Sequence, residues 1–466
     1  MAQIQPSKFQ PIYPYQDDGV AFLAGRERAG LHDAMGLGKT AQVIRAADMI
    51  KAQRGIMIVP AKLRRNTVHQ FHKWATRGYR ITEGRSVHDF IAWQRGRYHI
   101  LVTSYEQATK WAKSIYMSGE PIDFVAMDEA HYVKNSEAAR TKAILGPEFD
   151  GSGGLVNFAE HIWHVSGTPM ANDPLDIYTF LKLCRATTLP QGTFIKKYFY
   201  SDLSQYGSRQ TVKPEAQADL TNLINDHRVQ RTLADVGFQL PSIRLDPIIV
   251  DGDTKAITDL LRQYPTLSHA IVHAINHGGL SFLEAQHIMT LRRLLGEAKA
   301  APYAHMLLDD LRITGNEKHV VMGIHVDALV FIYNFLRKRN ISCVLVNGTV
   351  SDRQADRAIR QFQEDPTCTV FLGNIKSAGL GSDLFASRRL DMLESDWTPA
   401  GNAQAVKRIH RIGQMLPCFV RFVTLANTFD EKVNDLIIQK TRSIADIEGS
   451  PMLSHPVLTP GLNLVT

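Results

Sequence analysis

Long apolar runs are missing from this chain: nowhere do its 466 residues stay apolar for the roughly 18 positions that a membrane-spanning helix needs. The first residues, MAQIQPSKFQ, lack the basic-then-apolar layout of a secretory signal. Cysteine is scarce. Cys184, Cys343, Cys368 and Cys418 lie far apart and form no CxxC pair, which argues against a disulfide framework and against a cysteine zinc site. The 18 histidines show no HExxH or similar spacing, so no structural metal is expected. Internal repeats at solenoid periods, low-complexity tracts and dense basic blocks are absent too. What remains is the expectation of a reduced, cytoplasmic chain that is neither secreted nor membrane-bound.

The composition is that of a globular protein, 44% hydrophobic and 21% charged, and the length suits two or three domains. A formal net charge of +7 is compatible with a polyanionic partner. Short β-branched runs alternate with helical patterns, twice over. In the first half the strand-like runs are 56–60, 100–104, 124–128 and 162–166; in the second they are 320–324, 343–346, 369–372, 390–393 and 419–424. Such alternation predicts parallel sheets covered by helices on both faces. Ser351 with Gln354, and Thr428 with Glu431, read as capping boxes opening two helices. The stretch 193–311 is helical in pattern apart from one strand signal at 243–250. The expected division is a first α/β lobe over 1–250 with a helical protrusion from about 193. A helical connection follows over 251–311, then a second lobe over 312–448 and an irregular tail over 449–466.

The segment Asp33-Ala-Met35-Gly36-Leu37-Gly38-Lys39-Thr40 resembles a P-loop in which Asp33 stands for the first glycine. Gly36 and Gly38 let backbone N–H groups turn inward around phosphate oxygens. The helix starting near Lys39 points its positive end at the same place. Lys39 is placed to reach the β and γ phosphates of ATP, and the Thr40 hydroxyl to ligate Mg²⁺. An apolar run before the loop (30–32) and a helical pattern after it (41–51) give a context that a chance glycine turn would lack. Further on, Asp128-Glu129-Ala130-His131 ends an apolar run, so both carboxylates fall at the carboxyl end of a strand, where ligands bind in open α/β sheets. Asp128 would hold the Mg²⁺ shell, and Glu129 would orient and deprotonate a water.

Further motifs follow in order. Val165-Ser-Gly-Thr168-Pro169 resembles the helicase motif that couples ATP state to nucleic acid. Gln404-Ala-Val-Lys-Arg408-Ile-His410-Arg411-Ile-Gly413-Gln414 closely resembles the QAxxRxHRxGQ signature of the Swi/Snf-type DNA translocases of helicase superfamily two. Tyr15-Gln16, Pro60-Ala-Lys62, Thr103-Ser104-Tyr105, Lys134-Asn135, Asn347-Gly348-Thr349, Ser377-Ala-Gly379-Leu-Gly381 and Asp396-Trp397-Thr398-Pro399 fit the same family, whose likeness runs from about residue 13 to about residue 431. The wording from Glu394 to Pro399 leans toward the HARP-like annealing-helicase branch. Three positions depart from the pattern: Ala34 for the usual glutamate, Asp383 for asparagine, and Val406-Lys407 for an acidic pair.

The resemblance implies two RecA-like lobes and a monomeric motor that uses ATP to move along double-stranded DNA. It implies adenine reading by Gln16, nucleotide contacts by Gly381 and Asp383, and coupling roles for His131 and Gln404. Arg408 and Arg411 become arginine fingers that stabilise transition-state charge. DNA grips fall at Lys62, Ser104, Thr168, Asn172, Gly348, Ser377 and Trp397, mostly on phosphates. Two other readings share these motifs: a strand-separating helicase of the same superfamily, and the motor subunit of a larger DNA repair or restriction machine whose partner protein supplies targeting or nuclease chemistry.

Overall fold

The computed structural model describes residues 12–167, 174–204, 207–237, 240–268, 271, 282–375, 384–396, 399–411 and 413–447. The chain divides into two lobes, Met1–Gly237 and Phe238–Thr466.

The first lobe runs α1 (Pro14–Ala24), β1 (Arg28–Leu31), α2 (Lys39–Met49), β2 (Gly55–Val59), α3 (Arg64–Trp74), β3 (Ile81–Gly84), α4 (Val87–Gln94), β4 (Ile100–Ser104), α5 (Tyr105–Ser118), β5 (Ile122–Asp128), α6 (Ala139–Leu145), β6 (Ala159–Val165), α7 (Tyr178–Leu183), α8 (Gln191–Tyr198), β7 (Phe199–Ser204), β8 (Gly207–Val212), α9 (Gln217–Asn225) and β9 (Arg228–Val229). Seven strands form one parallel sheet in the order β3-β4-β2-β5-β6-β1-β9. Its central strands are buried on both faces, which is why β2 and β4 read as unbroken apolar runs rather than alternating ones. On one face Leu23, Val43, Ile44 and Phe71 from α1, α2 and α3 pack on Met57, Val102 and Trp163. On the other face Trp93, Tyr105, Ile144 and Phe180 from α4 to α7 pack on Ile58, Val125 and Ile162. Each fully buried Leu, Ile or Phe of this kind is worth about 1.5–3 kcal/mol. Local signals fix the helix ends. Ser104 caps α5 by accepting the Gln107 N–H at 3.3 Å, and Gly119 closes it in the left-handed region at φ 64°.

The second lobe runs β10 (Ile243–Val250), α10 (Lys255–Gln263), α11 (Phe282–Ile313), β11 (His319–Gly323), α12 (Val326–Arg337), β12 (Cys343–Val346), α13 (Asp352–Glu364), β13 (Val370–Asn374), β14 (Arg389–Met392), α14 (Pro399–Val406), β15 (Cys418–Leu425) and α15 (Asp430–Ile447). Its six strands form a second parallel sheet, β10-β15-β14-β11-β13-β12.

Two expectations about the division need correction. The strand at 243–250 was expected to close the first lobe, but it pairs along its whole length with β15, from Ile243↔Cys418 to Val250↔Leu425. The boundary therefore falls at 237/238. The sequence shows a strand there, but not the partner about 175 positions away that claims it. The expected helical connection over 251–311 is part of the second core, where Leu291, Leu295, Tyr303, Leu307 and Leu311 are buried with the sheet. Lys299 of α11, 2% exposed, pairs with Asp430 of α15 at 2.6 Å and donates to Val423 O at 2.8 Å. The protrusion is not all helix either, since β7 and β8 form an antiparallel hairpin inside it. The Ser351–Gln354 capping box is present with both reciprocal bonds. At the other one, Glu431 reaches the Asn427 N–H at 2.8 Å, while Thr428 Oγ1 accepts from Asp430 N at 3.2 Å and donates to Leu425 O at 2.8 Å. The expected tail over 449–466 lies outside the described residues.

Candidate active site

The chain leaves β1 at Leu31 and turns through 32–38 into α2. Two glycines make the turn possible. Gly36 has φ +91° and Gly38 has φ +73°, both in the region where an L side chain costs about 1–2 kcal/mol. Gly38 is the N-cap of α2, and a β-carbon there would lie 2.2 Å from Gln16 Nε2. The first N–H groups of α2 have no partner within the helix, which makes this end an anion site. Lys39 Nζ donates to the carbonyls of Asp33 at 2.8 Å and Ala34 at 3.3 Å. Thr40 follows, half-buried.

Asp33 does not simply replace a glycine. It is fully buried and accepts two bonds from Arg231, Nε at 2.9 Å and Nη2 at 2.7 Å, and one from Gln42 Nε2 at 3.0 Å. Arg231 also donates to Gln42 Oε1 at 3.0 Å and to Tyr15 O. One guanidinium thus braces the P-loop, α1 and α2 together. Arg231 was not singled out in the sequence, and no local pattern marks it: its partners lie about 190 to 216 positions away.

The carboxylates arrive by strand order. Asp128 ends β5 and pairs with Val165 of β6, which in turn pairs with Leu31 of β1, so Asp128 and the start of the P-loop lie in one row across three strands. The Asp128 carboxylate accepts the Glu129 N–H at 3.1 Å. Burial, and then the neighbouring charge of Glu129, push its pKa up to about 7, while Lys39 pulls it down. Glu129 sits at φ 53°, ψ 48°, a left-handed backbone that costs a non-glycine residue about 1–3 kcal/mol and is typical of functional turns. His131 Nδ1 lies 3.3 Å from Glu129 Oε2. Tyr105, fully buried, donates its hydroxyl to Asp128 O at 2.8 Å, and Lys134 ties the following turn to Asp176 at 2.7 Å.

The loop after β6 closes on the same place. Ser166 N donates to Leu31 O at 3.1 Å. A β-carbon at Gly167 would lie 3.0 Å from Met35 Cγ and 3.2 Å from Lys39 Nζ. The structure therefore brings together Met35, Gly36, Leu37, Gly38, Lys39, Thr40, Asp128, Glu129, His131 and the Ser166-Gly167 turn. Gln16 reaches the P-loop from α1. Its amide nitrogen donates to the P-loop carbonyl of Leu37 at 3.0 Å, while its amide oxygen accepts the N–H of Tyr13, the N-cap of its own helix, at 2.9 Å. Tyr15 donates to the same carbonyl at 3.2 Å and stacks on Tyr13 at 5.8 Å.

In the second lobe, α14 ends at Val406, so Arg408 and Arg411 stand in the tight turns after it and not on a helix. Gln404 is half-buried on α14. The signature's other polar residues hold those turns in place. Gln414 donates to the carbonyls of Phe385, Ser387 and Ile409 at 3.1, 3.0 and 3.3 Å, and accepts the N–H groups of Met415 and Leu416 at 3.1 Å each. His410 Nε2 donates to Pro241 O at 2.7 Å, and burial holds its pKa below the ordinary histidine value. Desolvation also lowers Arg411, a group that stays charged regardless.

The expected nucleic-acid contacts divide. Lys62 is exposed in the short turn Ala61–Leu63 at the carboxyl end of β2. Gly348 is exposed in a turn after β12, where Asn347 Oδ1 accepts from Thr349 N at 3.0 Å and from its hydroxyl at 2.7 Å. Ser104 is 2% exposed, and its hydroxyl is engaged in capping α5, which puts it inside the fold instead of on a gripping surface. Thr168, Asn172, Ser377, Gly381, Asp383 and Trp397 lie outside the described residues. Among the described residues no helix is long and apolar enough to cross a membrane.

Residues 15–295 match the SNF2-related domain, and residues 304–413 match the helicase conserved C-terminal domain. The chain is 24% identical over 461 residues to a Drosophila melanogaster SWI/SNF-related matrix-associated actin-dependent regulator of chromatin subfamily A-like protein 1, covering 96% of this chain and 57% of that protein. It is 25% identical over 460 residues to the mouse DNA annealing helicase and endonuclease ZRANB3, covering 95% of this chain and 41% of that protein. The chain thus spans about half the length of these relatives. A solved Sulfolobus solfataricus SWI2/SNF2 ATPase core in complex with dsDNA aligns at 19% identity over 97% of this chain and 96% of that one, with a TM-score of 0.44. With the SNF2-related match spanning more than half of its length, the chain belongs to the SNF2 family of helicase-like ATPases.

Proposed function

We propose that this chain hydrolyses ATP and uses the energy to translocate on double-stranded DNA without processive strand separation. The observation that carries this reading is the row from Asp128 through Val165 to Leu31, which sets the Asp128 carboxylate and the Ser166-Gly167 turn beside the P-loop lysine, with Glu129 next in the chain. Lys39 would leave its two carbonyls for the β and γ phosphates, a stronger charge-assisted contact. Glu129 would take the proton of the attacking water. Arg408 and Arg411 would supply charge to the transferring phosphoryl group, a contribution of about 10³–10⁵ in rate in other phosphoryl-transfer enzymes. With both ends of the Gln16 amide engaged, the stacked Tyr13–Tyr15 pair is the better candidate for the base.

The residues fit a magnesium ion. Asp128 is a carboxylate whose pKa is raised by burial and then by the charge of Glu129, a group that a dication would return to its ionised form. Mg²⁺ is commonly held by one or two carboxylates plus substrate phosphates, and Asp128 with Thr40 offers that set. Asp128 and the Thr40 hydroxyl would hold the ion, and when bound it would supply charge that neutralises the negative charge developing on the phosphates.

Duplex DNA as the track rests on the Gln404–Gln414 signature and on the family. The mouse relative's name states DNA annealing, which favours remodelling of DNA over unwinding. The test is ATP hydrolysis with no nucleic acid, with single-stranded DNA, with duplex DNA and with RNA, beside Lys39→Ala. Stimulation by duplex that is lost in the variant supports the motor. Stimulation by single strands or RNA alone would move the reading to a strand-separating helicase, and no hydrolysis under any condition would overturn it.

A further inference from the structure

Two histidines lie beneath the P-loop, and no step of the proposed chemistry uses them. His32 and His164 are 1% and 3% exposed. His32 Nε2 and His164 Nδ1 are 2.9 Å apart, and the rings meet edge-on at 5.1 Å. The sheet register explains the meeting. His164 on β6 pairs with Gly30 on β1, and residues two apart on a strand share a face, so Gly30, His32 and His164 all face α7. Gly30 leaves room for Phe180 of α7: a β-carbon there would lie 2.7 Å from Phe180 Cζ. The Phe180 ring packs 4.8 Å from His32 and 4.9 Å from His164.

The pair does not titrate under ordinary conditions. Burial, then His164, Arg228 and Lys39, hold His32 well below the usual histidine value; burial, then His131, hold His164 at about 3. The charged neighbours named here are all basic, so both rings stay neutral. One nitrogen then donates and the other accepts, giving a fixed link and not a switch.

What the link joins is specific. His32 is followed by Asp33, whose carbonyl holds Lys39 and whose carboxylate holds Arg231. His164 stands two residues before Ser166, in the turn that packs on Met35 and Lys39. We propose that the His32–His164 hydrogen bond is a positioning strut that keeps the Ser166-Gly167 turn in register with the P-loop, so that engagement of DNA is felt as a change in ATP turnover. This inference rests on the DNA-motor reading above.

The test measures ATP hydrolysis with and without duplex DNA, the KM for ATP and the melting temperature. The proteins are the full chain, His164→Leu and His164→Asn, whose amide places a polar atom near the position of Nδ1. His164→Leu should cut the DNA-stimulated to basal ratio by at least about fivefold, a typical size for coupling between sites. Its basal turnover and KM should stay within about twofold, and His164→Asn should recover most of the ratio. A wild-type ratio in the leucine variant would overturn the proposal. So would a parallel fall of basal and stimulated rates with the melting temperature in both variants, since that is what a purely structural role predicts. If the unsubstituted chain shows no stimulation by duplex, the motor reading itself falls and takes the strut with it, an outcome visible before any variant is compared.

Discussion

Replacing Arg231 by methionine keeps the aliphatic stem and removes a guanidinium that serves three elements. Asp33, fully buried, would lose both of its bonds from Arg231 and keep the one from Gln42 at 3.0 Å. Stranding one partner of a buried charge pair costs about 3–5 kcal/mol. For a lobe of this size each kcal/mol moves the melting temperature by roughly 2–4 °C, so a fall of about 6–20 °C is expected. The same change frees the P-loop from α1, because Tyr15 O loses its donor. ATP affinity should therefore fall together with stability. The sharper assay is a double-mutant cycle by urea and thermal unfolding with Asp33→Asn. If the pair acts as a unit, Arg231→Met/Asp33→Asn recovers about 2 kcal/mol or more relative to the sum of the single losses. A single loss below about 1 kcal/mol, or plain additivity in the cycle, would refute the bracing role.

Four further outcomes are expected. Lys39→Ala should lower ATP turnover by on the order of 10³-fold while leaving the melting temperature nearly unchanged, because among the described residues the hydrogen bonds of its ammonium go to two P-loop carbonyls; parallel loss of folding would contradict this. Gly38→Ala should cost about 1–2 kcal/mol from φ +73° alone and displace Gln16 Nε2, read as weaker binding of a fluorescent ATP analogue; unchanged affinity would count against the cradle. With Asp128 raised to about 7, the proton competes with the metal. Affinity for Mg·ATP should weaken by about tenfold per pH unit as pH falls below that value, and Asp128→Asn should flatten the profile. Without metal the sign reverses: the raised carboxyl favours folding below the ordinary carboxylate range, and that contribution is lost as pH rises through about 7. Gln414→Leu strands the buried carbonyls of Ser387 and Ile409 at about 1–3 kcal/mol each and should loosen the turns that carry Arg408 and Arg411, seen as a lower melting temperature and slower DNA-stimulated turnover.

The groups proposed to meet phosphate, metal and water were legible in the sequence because that chemistry demands fixed local spacing. Gly36 and Gly38 need positive φ beside a helix start, and Asp128 and Glu129 need the end of an apolar strand. Each condition is satisfied within a few residues, so a reader of the sequence meets it whole. The parallel sheets were legible for a similar reason, since strands buried on both faces must be apolar throughout. The expected runs 100–104 and 343–346 coincide with β4 and β12. The short edge strands β3 and β9 escaped, because a few half-exposed residues carry little apolar signal.

The supporting residues were illegible for the opposite reason. Arg231, His32, His164 and Lys299 act through partners that the fold delivers from far along the chain, and nothing near each of them announces the pairing. Gln16 shows how little position alone says about contacts: its amide nitrogen donates to the P-loop carbonyl of Leu37, and its oxygen caps its own helix at Tyr13 N, a pairing that only the fold reveals. The same logic bears on Asp33. A buried carboxylate at the head of a P-loop would oppose phosphate binding unless a cation met it, and Arg231 meets it at 2.7 Å. The departure from the general P-loop pattern and the distant arginine are therefore one feature. A substitution at either position should be tolerated only together with a matching change at the other.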